Sequence, residues 1–431
     1  MDALSLAIIA GGLLMYSLIS GRLQGTVITA PLVFIVFGFS IGKGGFDMAD
    51  VDAGNSVIHF IAELTLILVL FSDAARIDIS AVRQDHNLPS RMLIIGLPLA
   101  IVAGTLFASQ LFPDFSMWEA ALLAALLAPT DAALGQSVIS DRAVPVRIRQ
   151  AINIESGLND GIVLPAVLLV AALAGTAHGA MPASEWIRFG VLQVILGPVG
   201  GIAVGYLGAR ALDTAIERGW ANAAFQGIGI LSLAVFTYVS AELLGGNGFI
   251  AAFVGGMVFG NSIRHPCTFL FEFMESEGQL LMLITFLVFG AALLPEGLEH
   301  LDVTILLYAL LSLTVIRMIP IAISLTGSGI RWPAQLFLGW FGPRGLASIL
   351  FVLLILEESD VPHRDQLLSV TVVTVGLSAL LHGVSAAPFA RIFGRLVDRM
   401  GVCEESKTVI EMPLREGHMV VENNSNGAVS Q

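Results

Sequence analysis

Residues 122–135 read LLAALLAPTDAALG, an apolar stretch that a proline, a threonine and an aspartate interrupt. Apolar runs of this kind, when long enough, are typical of helices that cross a lipid bilayer. Pro129 removes a backbone donor and breaks such a helix, and Thr130 and Asp131 follow at once. A break near mid-membrane frees carbonyls and amides that can face a cation. The alternative is a proline kink in which Asp131 only caps the second half-helix.

The rest of the 431-residue chain has the composition of a membrane protein. Only 13% of its residues are charged, against about 25% in soluble domains, and its mean hydropathy is +0.85. A soluble chain of this length would need more polar surface. The formal charge of −13 predicts no nucleic-acid partner. Cys267 and Cys403 have no metal-ligand spacing, so we expect free thiols and no resident cofactor.

Thirteen apolar stretches predict an all-α, multi-pass protein of the cell (inner) membrane. They lie near residues 3–20, 26–42, 57–73, 90–110, 118–139, 148–173, 187–209, 221–242, 247–261, 270–293, 303–326, 334–356 and 367–392. Most of the 21 lysines and arginines fall on one side of these spans, while Lys43, Arg188 and Arg364 fall on the other. This asymmetry predicts an external N-terminus and a cytoplasmic C-terminus.

The sixth span carries the densest polar cluster, in the sequence AINIESGLNDGIVLPAVLLV at residues 151–170. Ser156 and Asp160 are i,i+4 neighbours on a helix, as are Glu155 and Asn159. These side chains offer hard oxygen ligands, which suit a small hard cation. A purely structural role would place two carboxylates in mid-membrane, each at a cost of about 2.5–3.5 kcal/mol, for no chemistry.

A second interruption occurs in the twelfth span, where residues 338–351 read LGWFGPRGLASILF. Gly342, Pro343 and Gly345 break the helix, and Arg344 offsets the negative charge nearby. The interrupted spans are the fifth of each half if the second half begins at the eighth span. This correspondence predicts inverted repeats with a binding site at mid-membrane.

Three motifs resemble the NhaP-type sodium/proton antiporters of the first monovalent cation/proton antiporter family. They are Ala-Pro-Thr-Asp at 128–131, Glu-Ser-Gly-Leu-Asn-Asp-Gly at 155–161 and Gly-Pro-Arg-Gly at 342–345. The resemblance implies a membrane transport domain over residues 1–394. The chain turns polar after about residue 395, which predicts a mobile cytoplasmic tail at 395–431. Within that domain, core helices at about 90–173 and 303–392 would carry two crossed, unwound helices, spans 5 and 12. Scaffold helices at about 3–73 and 187–293 would form a homodimer.

The resemblance also implies roles for individual residues. Asp160 would alternate between cation and proton. The Na⁺ ligands would be Asp160, Asp131, Thr130 and Ser156, with Asn159 beside them.

Two arginines within spans are assigned structural roles. By resemblance, Arg317 would form an ion pair with Glu155, and Arg344 would be the charge at the helix crossing. A Glu-Gly-Gly sequence common in the third span of the family is absent here, where Ser72, Asp73 and Ala74 stand instead. The third span is therefore left out of the expected site.

Competition for one desolvated carboxylate predicts electroneutral exchange of Na⁺ or Li⁺ for one proton. A K⁺/H⁺ antiporter of the same fold remains open, because residue types do not determine which monovalent ion fits. A monovalent cation channel is a weaker alternative, since no filter-like repeat occurs. A membrane-embedded aspartic hydrolase is weaker still, since no GxGD-like element lies near Asp131 or Asp160. We therefore expect no enzyme, and the expected partners are the bilayer, the cation, the proton and a second subunit.

Overall fold

The apolar stretches fold into helices in the computed structural model, and each of the thirteen predicted stretches falls on helix. The structure describes residues 3–23, 26, 28–49, 56–175, 183–264, 268–358, 361–401 and 403–407, and these contain no β-strand. Within this described part, 8 helices are long and apolar enough to cross a membrane, and further apolar helices of 10–17 residues accompany them. The prediction of an all-helical fold is confirmed for the described residues.

In chain order the helices are α1 (Ala3–Leu23), α2 (Ala30–Ile41), α3 (Ser56–Ala75), α4 (Ile79–Gln84), α5 (Asn87–Arg91), α6 (Leu97–Leu111), α7 (Met117–Leu126), α8 (Ala132–Ile139), α9 (Val146–Gly175), α10 (Ala183–Glu217), α11 (Ala223–Leu243), α12 (Gly248–Ser262), α13 (Thr268–Val288), α14 (Leu294–Glu299), α15 (Val303–Leu313), α16 (Val315–Ser324), α17 (Trp332–Trp340), α18 (Leu346–Glu358) and α19 (Arg364–Met400).

Both predicted interruptions are present. The backbone leaves the helix at residues 127–131, between α7 and α8, and at residues 341–345, between α17 and α18. The predicted eleventh span is also divided, at Thr314, which has the non-helical angles φ −113° and ψ −92°. Pro320 lies six residues later in α16 and cannot donate a backbone hydrogen bond.

Two spans contain a π-helical turn that the sequence patterns did not indicate. One covers Met92–Gly96 and joins α5 to α6, and the other covers Phe289–Leu293 and joins α13 to α14. A proline follows each within two residues, Pro98 and Pro295. Because proline supplies no N–H to the preceding turn, a locally wider turn accommodates it without ending the helix.

Close backbone packing joins α3, α10, α11 and α12 into one set of helices. Gly256 and Gly260 of α12 lie against the backbone carbonyls of Phe71 and Ala75 in α3, where a side chain would clash. Small residues spaced four apart let membrane helices approach this closely.

A second set of packed helices contains α6, α7, α15, α16, α17 and α19, and α9 contacts members of both sets.

The chain beyond residue 394 begins as helix rather than as a mobile tail. α19 continues to Met400, with Phe393 and Val397 buried and Arg391 and Arg395 exposed. This amphipathic pattern extends the helix past its apolar part. Residues 408–431 of the predicted tail lie outside the described residues.

The segment after α19 packs against the ends of α9 and α17. Arg147, in the first turn of α9, is buried and forms two hydrogen bonds with the Asp85 carboxylate, at 2.7 and 3.0 Å. The same guanidinium donates to the Glu404 carboxylate at 2.9 Å and to the Glu404 carbonyl at 2.7 Å. Glu405 is buried and accepts the N–H of Arg331, the N-cap of α17, at 2.6 Å.

The pKa of Glu405 lies below its ordinary value. Burial, the largest influence, raises this pKa, but the hydrogen bond from the Arg331 N–H and further bonds within the same turn outweigh it. The ionised carboxylate therefore stabilises this end of the molecule.

We expect Glu405→Gln to lower the midpoint of thermal unfolding at neutral pH, because a neutral acceptor replaces a charged one and weakens the bond by about 1 kcal/mol. Ionised Glu405 stabilises the folded protein above its unfolded-state pKa, near 4.5. This stabilisation is lost as the pH falls through the lower folded-state pKa. In purified protein in detergent, the unfolding temperatures of variant and wild type should thus differ at pH 7 and approach each other as the pH falls below about 4.5. Asp398→Asn, at an exposed position of α19, is the control. A pH-independent difference would contradict the assignment.

Candidate ion-binding site

The two interruptions are joined at Asp131. Its N–H donates to the Pro343 carbonyl at 2.8 Å. Its Oδ1 accepts the N–H groups of Ala133 at 2.6 Å and Leu134 at 3.2 Å, which caps α8. Its Oδ2 accepts the Leu346 N–H at 2.6 Å, which caps α18. One carboxylate thus satisfies the positive ends of two half-helices from different parts of the chain.

Arg344 places a positive charge at the C-terminus of a half-helix, as Asp131 places a negative charge at the N-termini. Its Nη1 donates to the carbonyls of Ala128 at 2.5 Å and Pro129 at 3.2 Å, just past the C-terminus of α7. The side chain is 1% exposed. A cation is favoured at this position because the unpaired carbonyls carry partial negative charge. The Ser348 hydroxyl adds a bond of 2.7 Å to the Leu126 carbonyl.

Glu155 and Arg317 form a buried, bidentate ion pair between α9 and α16. Both oxygen–nitrogen distances are 2.9 Å, and the side chains are 1% and 3% exposed. Paired geometry of this kind keeps two charges ionised away from water. The structure therefore places in contact the two residues that the resemblance paired.

A polar cluster connects the first interruption to α9. The hydroxyls of Thr130 and Ser156 lie 3.0 Å apart, and Asn159 Nδ2 donates to Thr130 Oγ1 at 2.5 Å. All three residues are buried. Asn159 Oδ1 is buried and has no hydrogen-bond partner among the described residues. The cluster thus contains oxygen atoms able to accept a further donor or a cation.

Asp160 lies on the same helix, one residue after Asn159 and one turn after Ser156. It is half-buried, whereas Glu155 and Asn159 are buried. Two glycines flank this position on α9: Gly157 lies near Ile77, just after α3, and Gly161 packs against the Phe253 ring of α12. Asp160 therefore lies where α9 passes between the two sets.

The chain matches known proteins over most of its length. A family model described as sodium/hydrogen exchanger, transmembrane, matches residues 7–392. The chain belongs to the sodium/hydrogen exchanger family. The family prediction made from the three motifs is confirmed, as is membership of a group of cation/proton antiporters.

Relatives of this exchanger-family chain include the K⁺/H⁺ antiporter NhaP of Alkalimonas amylolytica, 27% identical over 400 residues, covering 91% of this chain and 67% of the relative. The K⁺/H⁺ antiporter NhaP2 of Shewanella sp. strain MR-4 is 24% identical over 400 residues, covering 90% and 66%. The chain spans about two thirds of the length of these curated relatives.

Among solved structures, the sodium proton antiporter MjNhaP1 of Methanocaldococcus jannaschii shares the fold of this exchanger-family chain. The TM-score is 0.75 at 19% identity, covering 91% of this chain and 97% of that chain.

Sequence patterns did not single out Ser348 or Ser378 in this exchanger-family chain, although both contact an interruption. Ser348 bonds the Leu126 carbonyl, and Ser378 accepts the Arg344 N–H at 2.7 Å. Each is a polar residue within an apolar span, which could have indicated a contact. Serine is common in such spans, however, so its presence is only a weak indication.

Removing one member of the Glu155–Arg317 pair should destabilise the protein more than removing both. Glu155→Leu alone leaves a buried, uncompensated guanidinium, at a cost of about 3–5 kcal/mol. The Glu155→Leu/Arg317→Met double variant leaves no such charge and should unfold at a higher temperature than either single variant. Thermal unfolding in detergent measures all three.

Arg210→Met is the control for this cycle, because Arg210 is 37% exposed and lies 3.7 Å from its partner Asp213. An exposed pair contributes little. Additive losses in the double variant would rule out coupling between Glu155 and Arg317.

Gly342→Ala should disturb the same ion pair, because Gly342 packs directly against the Arg317 guanidinium. A Cβ atom at residue 342 would overlap the Arg317 guanidinium. We expect a lower unfolding temperature and reduced transport, whereas Gly135→Ala should be neutral or stabilising. The Cβ at residue 135 meets only Ile139 and Pro343 at 3.7 and 4.0 Å, and alanine suits a helix better by about 0.5–1 kcal/mol. Equal behaviour of the two variants would contradict the close packing at Gly342.

Proposed function

We propose that this protein exchanges a monovalent cation, Na⁺ or Li⁺, for a proton by alternating access. The observation that carries this proposal is the buried Thr130–Ser156–Asn159 cluster, which sits between the interrupted helix and the helix of Asp160. Hydroxyl, amide and carboxylate oxygens are the ligands that a small hard cation takes.

Asp160 is the exchanging carboxylate in this proposal, and Ser156 and Thr130 are the neutral ligands. A half-buried carboxylate can reach water, as a group that releases a proton must. Asn159 orients the Thr130 hydroxyl through its Nδ2, and its Oδ1 remains for the cation or for water.

Asp131 has both oxygens on backbone N–H groups here, so its first role is to join the interruptions. Oδ1 already accepts two N–H groups, so Asp131 would contact the cation through Oδ2, which accepts one N–H and can take a second partner.

The exchange is proposed to be one-for-one and electroneutral. Both oxygens of Glu155 are engaged by Arg317, so we assign no exchanging proton to this second carboxylate. Arg344 and Asp131 are complementary charges at the two interruptions and cancel in either state. One titrating carboxylate then binds one Na⁺ or one proton.

The finer architecture is part of the proposal. The hydrogen bond from Asp131 to Pro343 supports a pair of crossed, unwound helices, α7–α8 and α17–α18, related by inverted repeats. We assign the core to residues 90–173 and 303–392. The scaffold, at residues 3–73 and 187–293, forms the homodimer contact. The positive-inside pattern supports an external N-terminus and a cytoplasmic C-terminus in the cell membrane.

K⁺/H⁺ exchange is the second candidate, because two relatives are named as K⁺/H⁺ antiporters. The name of the solved neighbour mentions sodium. The same oxygen cluster serves either ion, and the cost of dehydrating each ion decides between them.

Asp160→Asn should abolish cation-driven proton movement while the protein still folds, because the amide cannot exchange a proton. The measurement uses purified protein in vesicles with an internal pH dye, to which Na⁺, Li⁺ or K⁺ is added. The wild type should move protons with at least one ion, and the relative rates rank the three.

Glu63→Gln is the matched control for this measurement. It converts another half-buried carboxylate within a helix, one that accepts the Tyr238 hydroxyl at 2.7 Å, and it should retain exchange. Full activity of Asp160→Asn would mean that another carboxylate exchanges. A sustained current that scales with turnover would refute electroneutrality. A wild type inactive with all three ions over a wide pH range would favour the channel.

A further inference from the structure

Two side chains of α19 bond the backbone of the second interruption. Ser378 Oγ accepts the N–H of Arg344 at 2.7 Å, and His382 Nε2 lies 2.9 Å from the Trp340 carbonyl oxygen. Trp340 is the last residue of α17, and Arg344 lies two residues before α18. Residues one helical turn apart on α19 therefore hold both ends of the unwound segment 341–345.

The donors and acceptors in these contacts follow from their chemistry. A backbone carbonyl only accepts, so Nε2 of His382 carries the proton that it shares with Trp340. A backbone N–H only donates, so Ser378 Oγ is the acceptor toward Arg344. The proton on Nε2 is the one proton of the neutral ring, so Nδ1 accepts the Ser378 hydroxyl at 3.2 Å. The Ser378 carbonyl oxygen, 2.9 Å from Nδ1, receives no donor from the ring in this tautomer.

The Trp340 carbonyl also accepts the Gly342 N–H, at 2.8 Å, across Phe341. With φ −78° and ψ 67°, Phe341 forms the inverse γ-turn that ends α17. His382 thus holds the acceptor of the turn that starts the interruption.

The imidazole has little room to move. It is 1% exposed, and the Trp340 ring stacks on it with centroids 5.0 Å apart. The Trp340 Nε1–H in turn donates to Ser385 Oγ at 2.9 Å, again on α19. The charged groups that act on the ring electrostatically are Arg317 and Arg344, and each is engaged with its own partners.

The first interruption is held in a similar way by α9, which follows α8 in the chain. Ser156 and Asn159 of α9 form the bonds to Thr130, and the next residue of α9 is the carboxylate Asp160. In α19 the acidic residues are Asp365, in the first turn, and Asp398, near the end. α19 therefore contributes Ser378 and His382, which bond the interruption, but it has no carboxylate next to them in the helix.

We propose that His382 is a positioning residue for exchange. With Ser378 it fixes segment 341–345 so that Arg344 reaches the Ala128 carbonyl and the Leu346 N–H reaches Asp131, and it does not itself exchange the proton. The inference rests on the proposed function, because it concerns the geometry of the same site.

His382→Leu tests this role, since leucine removes the ring nitrogens and keeps an apolar side chain. In reconstituted vesicles we expect its apparent KM for the driving cation to rise about tenfold, the effect of one hydrogen bond on the population of the competent conformation. His382→Gln keeps an N–H donor for the Trp340 carbonyl and should stay within about twofold of wild type. The pH at half-maximal rate should be the same in His382→Gln and in wild type.

Thr374→Val is the matched control. Thr374 is a buried residue on the same helix, and its hydroxyl bonds only the Val370 carbonyl of α19, at 2.7 Å. It should lose stability without a change in KM. If His382→Leu does not fold, Ser378→Ala removes the contact to Arg344 and is expected to raise KM in the same direction.

Hydrogen–deuterium exchange of the purified protein provides a readout that does not require transport. The peptide covering residues 338–346 should exchange faster in His382→Leu than in wild type, and not in Thr374→Val or His382→Gln. Wild-type KM together with wild-type protection in His382→Leu would overturn the proposal. A shifted pH profile in His382→Gln would also overturn it, because the ring would then titrate during exchange. A wild type that moves no protons would refute the proposed function instead, and the deuterium comparison would still decide the role of His382.

Discussion

The carboxylate of Asp131 holds two half-helix N-termini, and the rest of the site depends on that contact. A helix interrupted inside a bilayer leaves N–H and carbonyl groups that lipid cannot satisfy. Here each interruption satisfies the other, because Asp131 accepts from α18 while Arg344 donates to the carbonyls after α7. Each interruption thus supplies hydrogen-bond partners to the other. Two motifs 215 positions apart in the chain therefore act as one structural unit.

The charges around this unit divide into two kinds. Asp131, Arg344, Glu155 and Arg317 each have a charged or backbone partner at hydrogen-bonding distance. Through these contacts the four groups stabilise the structure of the site. Asp160 differs in being half-buried and next to the neutral oxygens of the cluster. A site that uses one carboxylate for exchange has to hold the others in this way, since a second mobile proton would alter the stoichiometry.

Much of the fold could be predicted from local sequence. Pro129 and the Gly-Pro-Arg-Gly motif disrupt a helix through their own backbone chemistry, so both interruptions were expected at the right residues. The spacing of Ser156 and Asn159 on α9 could likewise be anticipated from helical geometry alone.

Features that depend on distant partners could not be predicted in this way. The second oxygen of Asp131 caps a helix far along the chain, and the Trp340 carbonyl is reached by His382 from another helix. The π-turns before Pro98 and Pro295 also depend on how the whole span packs, because proline alone is compatible with a kink, a helix end or a wider turn.

The helix α9 makes hydrogen bonds and an ion pair with some of its neighbours and apolar contacts with others. This difference is relevant to the proposed alternating access. On one side, α9 is joined to α16 by the Glu155–Arg317 pair and to the first interruption by the bonds to Thr130. On another side, Gly157 lies near Ile77, just after α3, and Gly161 packs against the Phe253 ring of α12. Apolar contacts impose no fixed register, so one packed body can shift against another at small cost, while a bidentate ion pair moves only with its whole unit. Asp160 lies between these glycines, where such a shift would change its access to water without disturbing the bonds that build the site.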